Sequence, residues 1–244
     1  MSKITLYQGD CLEEMKKIPA KSVDLVLCDL PYGTTDCKWD CCINLDALWK
    51  EYKRILKDKG NILLFGDGSL FTANLMLSKK TWFKYNWVWK KNNSTGFLNA
   101  KKQPLRATET ISVFGRPGQN FYEPQMVKGK VHSTETHSAT KFSIYSKQQD
   151  RSAPNKSSDE YYPTNVIEGK QYSISNQGRL HPSEKPVALL EYFIKTYSSE
   201  GMTVLDNTMG SGSTGVAAKN LNRDFIGIEM DEKYFEIAKN RLEE

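Results

Sequence analysis

Two short segments of this sequence combine residue types that could do chemistry. Asp29-Leu30-Pro31-Tyr32 follows the apolar run Val23 to Cys28, which puts an acid and an aromatic on a rigid turn at the end of an expected strand. That pair suits the exocyclic amine of a nucleobase, with the acid accepting from an N–H and the ring stacking on the base. Asp206-Asn207-Thr208-Met209-Gly210-Ser211-Gly212-Ser213 follows a second apolar run, Met202 to Leu205. Its glycines let the backbone turn tightly and approach a nucleotide-like ligand.

Gly210, Gly212 and Gly215 spell G-x-G-x-x-G, and Glu229 ends the next apolar run, Phe225 to Ile228. Formally this is the dinucleotide fingerprint, with a helix N-terminus for an anion and an acid for ribose hydroxyls. Only fifteen residues follow Glu229, enough for one helix, Glu232 to Leu242, with Asp231 as its N-cap. The remaining strands are therefore expected from the N-terminal part of the chain, in a circularly permuted sheet.

That part supplies them. Strands are expected at Ile4 to Tyr7, Val23 to Cys28, Asn61 to Gly66, Tyr85 to Trp89 and Thr110 to Phe114. Helices are expected at Cys11 to Ile18, Leu45 to Leu56 and Leu70 to Leu77. Strands alternating with helices imply a mostly parallel sheet, whose ligands bind beyond the carboxyl ends of the strands. Asp10, Asp29, Asp206 and Glu229 are all expected there.

With these motifs in order, the chain resembles an amino-group DNA methyltransferase of the β class, in which the catalytic motif precedes the S-adenosylmethionine motif. Asp29 to Tyr32 resembles the family's D-P-P-Y, and Asp206 to Thr214 its D-P-F-x-G-S-G-T-T. Tyr162 to Val166, His181 to Pro186, and the stretch from Asn99 to Glu109 resemble further family segments. Leu30 stands where the family has its first proline, Thr208 replaces phenylalanine, Ser213 a threonine, and Thr108 a histidine. The resemblance implies a permuted Rossmann-like α/β fold with a seven-stranded, mostly parallel sheet and helices on both faces. It implies S-adenosylmethionine as cofactor, bound by Asp10, Asp29, His181, Lys185, Asp206, Thr208, Gly210, Gly212, Ser213 and Glu229. Of these, Asp10 is expected at the cofactor adenine, with a helix cap as the alternative, and Lys185 is expected at the methionine end of the cofactor. The catalytic part would span 1–116, a target-recognition insertion 117–177 and the cofactor-binding part 178–244.

The chemistry follows without the family. An exocyclic amine is a poor nucleophile because its lone pair is delocalised into the ring. Acceptors on both N–H groups favour a pyramidal nitrogen whose lone pair points at the electrophile. Asp29 offers one acceptor and the Leu30 carbonyl the other, while Pro31 restricts Leu30 to extended conformations. Tyr32 is expected to stack on the base. The work is positioning and electrostatics, and a base inside a duplex must be flipped out to reach such a site. Adenine N6 is expected as the acceptor, because Asp at the first motif position goes with adenine in the family. Cytosine N4 is the rival. A nicotinamide oxidoreductase, or a DNA-binding module without catalysis, is a more distant alternative.

The chain has 244 residues and a net charge of +5, the size of one catalytic domain with an insertion. Charge is unevenly spread: from Lys79 through Arg106 there are eight basic residues and no acid. Lys90, Lys91, Lys101, Lys102 and Arg106 are expected to meet phosphates. Residues 117 to 177 are polar and mixed in charge, suited to reading base edges over roughly 120–160. Double-stranded DNA is the expected partner; a homodimer and a cognate restriction endonuclease are left open. Cys37, Cys41 and Cys42 lack a second ligand pair at zinc spacing, so no metal site is expected. Nothing resembles a signal peptide or a membrane-spanning run, so the cytoplasm is the expected location.

Overall fold

The computed structural model describes residues 2–32, 43–133, 157–172 and 184–243. The expectations for His181, Cys37, Cys41 and Cys42, and for part of the 120–160 segment, lie outside these residues. The main body comprises residues up to Glu123 and from Asn165 onward. Residues Pro124–Thr164 form a separate compact unit, whose bounds fall inside the expected insertion.

Strands β1 (Ile4–Gln8), β2 (Val23–Cys28), β3 (Leu56–Gly66), β4 (Phe83–Thr95) and β5 (Arg106–Gly115) come from the first half of the chain. In the separate unit, β6 (Val127–Ser133) and β7 (Ser157–Tyr161) pair antiparallel. The body is completed by β8 (Val166–Ile167), β9 (Thr203–Asp206) and β10 (Asp224–Glu229). Its sheet runs β1-β10-β9-β2-β3-β5-β4-β8. The pairs from β1 across to β3 are parallel, and β5 runs antiparallel to both neighbours. The last two strands of the chain thus sit between the first two. This is the permutation expected from the short tail after Glu229. Among the described residues the sheet has seven principal strands, and two-residue β8 adds an eighth at the edge.

Helices α1 (Cys11–Glu14), α2 (Leu45–Ile55) and α3 (Leu70–Ser78) lie in the first half, and α4 (Val187–Tyr197), α5 (Ser213–Asn220) and α6 (Glu232–Glu243) near the end. Alternation along β2 separates the two faces of the sheet. Leu25 and Leu27 join the core that holds Leu189, Phe193, Ala217 and Ala238 of α4, α5 and α6. Val26 and Cys28 join the core that holds Leu48, Trp49, Tyr52 and Ile55 of α2. Helices therefore cover both faces, and strands buried on both sides read as continuous apolar runs. Helix α4 is not among the expected elements, although Leu189, Leu190, Phe193, Ile194 and Tyr197 recur at helical spacing and are buried.

The cap of α2 is Asn44, whose side chain accepts from the Ala47 N–H. Asp231 accepts from the Tyr234 N–H at 3.1 Å at the start of α6, the capping role expected from the sequence. No helix among the described residues is long and apolar enough to cross a membrane.

Candidate active site

Because β1, β10, β9 and β2 are parallel neighbours, their carboxyl ends gather Asp10, Glu229, Asp206 and Asp29 at one edge. Asp10, Asp29, Leu30, Pro31, Tyr32, Lys185 and Glu229, with residues of the 206–214 loop, line a single cavity of about 540 Å³. Residues 177 positions apart in sequence, Asp29 and Asp206, meet there because β2 pairs with β9 through Leu25–Val204 and Val26–Leu205.

The two motifs are joined by a hydrogen bond. Thr208 Oγ1 donates to the backbone carbonyl of Asp29 at 2.9 Å, and lies 3.0 Å from Cys28 Sγ. Asp206 is buried at the start of the loop and accepts from the Thr208 N–H at 3.1 Å. Burial raises its carboxyl to about 7, against hydrogen bonds from Thr214 and the Thr208 backbone that pull it down.

Each glycine of the loop has a different task. Gly210 adopts φ +51°, and its N–H donates to Glu229 Oε2 at 2.9 Å. Gly215 lets α5 lie against β10, where a Cβ would stand 2.7 Å from the Phe225 ring. Gly212 sits in the loop between the cavity-lining residues Ser211 and Ser213. Its φ is +81°, and a Cβ there would stand 2.9 Å from Ala238 Cβ of α6. The left-handed backbone and the close packing of α5 and α6 both require glycine.

Glu229 also accepts from the Asp231 N–H at 2.8 Å. Burial raises its carboxyl, against backbone hydrogen bonds from Asp231, Gly210 and Met230 that pull it down; a carboxylate has about four acceptor sites, which leaves room for a hydroxyl donor. Asp10 accepts from Leu12 and Glu13 N–H groups through Oδ1 alone, so it caps α1 while lining the cavity. Ser213 lines the cavity too, but its hydroxyl donates to Glu184 at 3.0 Å.

At the other end of the cavity, Asp29 is held from two sides. Tyr32 Oη donates to Oδ1 at 2.6 Å, and the Lys185 ammonium donates to Oδ2. The Tyr32 ring lies 4.7 Å from that of Phe71. Burial, then the Asp29 charge, raises the Tyr32 phenol, which keeps it a donor. Lys185 is 11% exposed and also faces Glu109 at 3.6 Å. Burial pulls its ammonium down, but Asp29 and Glu109 more than offset that and the net shift is upward. Glu109 in turn accepts from Lys91 at 3.2 Å. Two acids and two ammoniums thus form a neutral chain ending at Asp29.

Glu109 has no role in the sequence reading beyond marking a motif. The signal for it was the acid-free run that ends just before it. Lys91, expected to meet phosphate, is 16% exposed and paired with Glu109. The basic run is not unbalanced in space. Lys90 pairs with Glu168 at 2.8 Å and Arg106 faces Asp67 at 3.6 Å, acids supplied from outside the run. Lys101 and Lys102 are exposed.

Comparison with known proteins agrees with this geometry. Residues 23–240 match the family model for N6/N4-type DNA methylases. The chain is 28% identical to the Type II methyltransferase M.HinfI of Haemophilus influenzae, over 98% of this chain and 68% of that protein. It is also 28% identical to the DNA adenine methyltransferase YhdJ of Escherichia coli, over 98% of this chain and 82% of that protein. Among solved structures, M1.HpyAVI in complex with SAM superposes with a TM-score of 0.64 at 24% identity, covering 98% of each chain. The cytosine-N4-specific PvuII DNA methyltransferase superposes with a TM-score of 0.68 at 18% identity, covering 99% of this chain and 86% of that one.

Proposed function

The chain belongs to the DNA methylase family, and from that premise we propose that it transfers a methyl group from S-adenosylmethionine to N6 of adenine in a specific duplex DNA sequence. The observation that carries the proposal is the single cavity joining Asp29 and Tyr32 to the 206–214 loop and Glu229. An amine acceptor and a nucleotide-like donor would share one enclosure.

The cavity suits S-adenosylmethionine in size and in donor set. A volume of about 540 Å³ lies within the range of roughly 300–1,000 Å³ usual for small-molecule sites. Glu229 would take the ribose hydroxyls with its spare lone pairs. Asp10, at one end of the cavity, would hold the adenine through its uncommitted oxygen. The cofactor, when bound, supplies a methyl group already activated on a sulfonium. No metal or covalent intermediate is required of the protein.

The chain's own residues then orient and polarise the acceptor. Asp29 presents a full negative charge to one N–H of the amine, and the Leu30 carbonyl faces the other. Leu30 is buried, and its place ahead of Pro31 limits it to extended conformations, so that carbonyl is fixed before substrate arrives. Lys185 and Tyr32 hold the Asp29 carboxylate, and the Thr208 hydroxyl holds its backbone. Lone pairs of Asp29 not used by Lys185 and Tyr32 remain for the amine. Such preorganisation costs no reorganisation at the moment of transfer.

The similarity to an adenine methyltransferase and the aspartate at position 29 both support adenine over cytosine. DNA is the substrate. Recognition is ascribed to the 124–164 unit, and a homodimer or an endonuclease partner would be further features of this reading. The test is sequencing of DNA from cells expressing the protein, with detection of modified bases. N6-methyladenine in one short sequence context is expected. N4-methylcytosine there would overturn the choice of base, and unmodified DNA would overturn the activity.

A further inference from the structure

We propose that the tip of the β4–β5 hairpin is a wedge that enters the base stack of the DNA and fills the gap left by the extruded base. The inference rests on the reading above, that the chain methylates a base in duplex DNA.

The register shows how far the hairpin reaches. Cys28 pairs with Leu64, so Asp29 stands level with Phe65, whose partner across the sheet is Ile111. Strand β3 stops at Gly66, but β5 extends back to Arg106 and β4 on to Thr95. Arg106 is five positions before Ile111, which at about 3.3 Å per step carries the ribbon roughly 15 Å past the level of Asp29. It does so at the edge where the cavity opens. Its root is tied down. Val88 and Trp89 pair with β8, Lys90 bonds to Glu168, and Asn92 donates to the Gly169 carbonyl at 3.3 Å.

Beyond that root the ribbon has no neighbour among the described residues that buries it, and every residue from 97 to 106 is exposed. Gly96, at φ +93°, turns the chain into a single 3-10 turn, Phe97–Asn99. Phe97 is 69% exposed and Leu98 102% exposed. Two adjacent large apolar side chains at a projecting tip contribute nothing to the core, so packing does not account for them. Exposed Lys101 and Lys102 follow close behind.

Each part of this arrangement fits DNA. A two-stranded ribbon is one of the elements that the major groove admits. Phenylalanine and leucine are among the apolar side chains that proteins insert between base steps. Lysines beside them would meet phosphates. An enzyme that works on a base in a duplex must extrude it and meet the cost of unstacking, and an apolar wedge lowers that cost. A second copy of the chain fits less well, since a two-fold contact through these tips would bring like-charged lysines together.

The test is a Phe97→Ser/Leu98→Ser double variant, in which both changes fall on solvent-exposed positions. The probe is a duplex of the sequence found methylated in cells, with 2-aminopurine in place of the target adenine. Wild-type protein is expected to raise the fluorescence on binding, and the variant to lose most of that rise. Variant affinity for this duplex should fall on the order of tenfold to a hundredfold. Affinity for the same duplex with an abasic site opposite the target should fall much less, because the pairing that resists extrusion is already lost. Equal weakening on both duplexes, or an undiminished fluorescence rise, would overturn the wedge. So would a dimer, seen by sedimentation, that the variant loses while flipping normally. If wild-type protein methylates no DNA, the underlying reading has failed. If it methylates and the variant flips normally, only the wedge has failed.

Discussion

Replacing Asp29 with asparagine keeps the size of the side chain and removes its charge, which makes it a sharp probe of the amine acceptor. In the wild-type protein, Asp29 and Glu109 balance Lys185 and Lys91 in one connected chain. An uncharged amide in place of the Asp29 carboxylate would leave that chain with one excess positive charge. That charge would stand beside an amine that itself becomes positive as it gains a methyl group. A hydrogen bond to a charged group contributes about 1.5–3 kcal/mol. A unit charge about 4 Å away contributes up to about 4 kcal/mol at an effective dielectric constant near 20. Between these bounds the single-turnover rate should fall about 10²–10³-fold, the usual loss for one preorganised transition-state contact. The protein should stay folded, because Lys185 keeps Glu109 as a partner at 3.6 Å. The assay is rapid-quench transfer of labelled methyl groups to the cognate duplex under saturating enzyme. Cofactor affinity is measured separately by calorimetry, since Asp29 also lines the cofactor cavity. A loss smaller than about tenfold, with folding and cofactor binding intact, would refute the assigned role.

Glu229→Ala should weaken S-adenosylmethionine binding about 10–150-fold by calorimetry, the equivalent of one charged hydrogen bond; wild-type affinity would remove Glu229 from the site. Gly212→Val should act on α5–α6 packing, lowering the melting temperature by an amount equivalent to about 1–3 kcal/mol, while the fraction that remains folded binds cofactor normally. Lys101→Ala/Lys102→Ala should flatten the salt dependence of DNA binding by up to about two contacts' worth of slope, whereas Lys91→Ala should leave the slope unchanged and lower the transfer rate. Asp206→Asn should change how stability depends on pH. Burial raises the wild-type carboxyl to about 7 from 3.8, so the folded form holds its proton more tightly than the unfolded chain. The resulting stability is full below about pH 4 and is lost as pH rises through about 7, by up to about 4 kcal/mol at roughly 1.36 kcal/mol per pH unit. Urea titrations from about pH 4 to about pH 8 should show the variant gaining on wild type as pH rises, and parallel curves would refute the shift.

Much of this site is written in short stretches of sequence. Apolar runs ending in Asp29, Asp206 and Glu229 identify β2, β9 and β10, because each acid stands at the end of a strand that both faces bury. Gly210, and Pro31 after Leu30, mark turns whose backbone demands are local. The motif order, catalytic before cofactor, matches a sheet in which the last two strands sit between the first two, β1-β10-β9-β2.

What the sequence does not contain is the pairing of charges and surfaces brought together by that sheet. Lys185 and Asp29 are 156 positions apart, and no local pattern reveals that one holds the other. Lys91 reads as one more member of a basic run until β4 and β5 set it beside Glu109, 3.2 Å away and largely buried. Lys101, ten residues on, stays exposed because the ribbon has already left the sheet. Gly212 looks like a ligand-contacting glycine in any fingerprint, and only the position of Ala238 on α6 shows that helix packing requires it. Periodicity and turn chemistry are properties of neighbouring residues, whereas desolvation and electrostatic partnership depend on distances that exist only once the chain has folded.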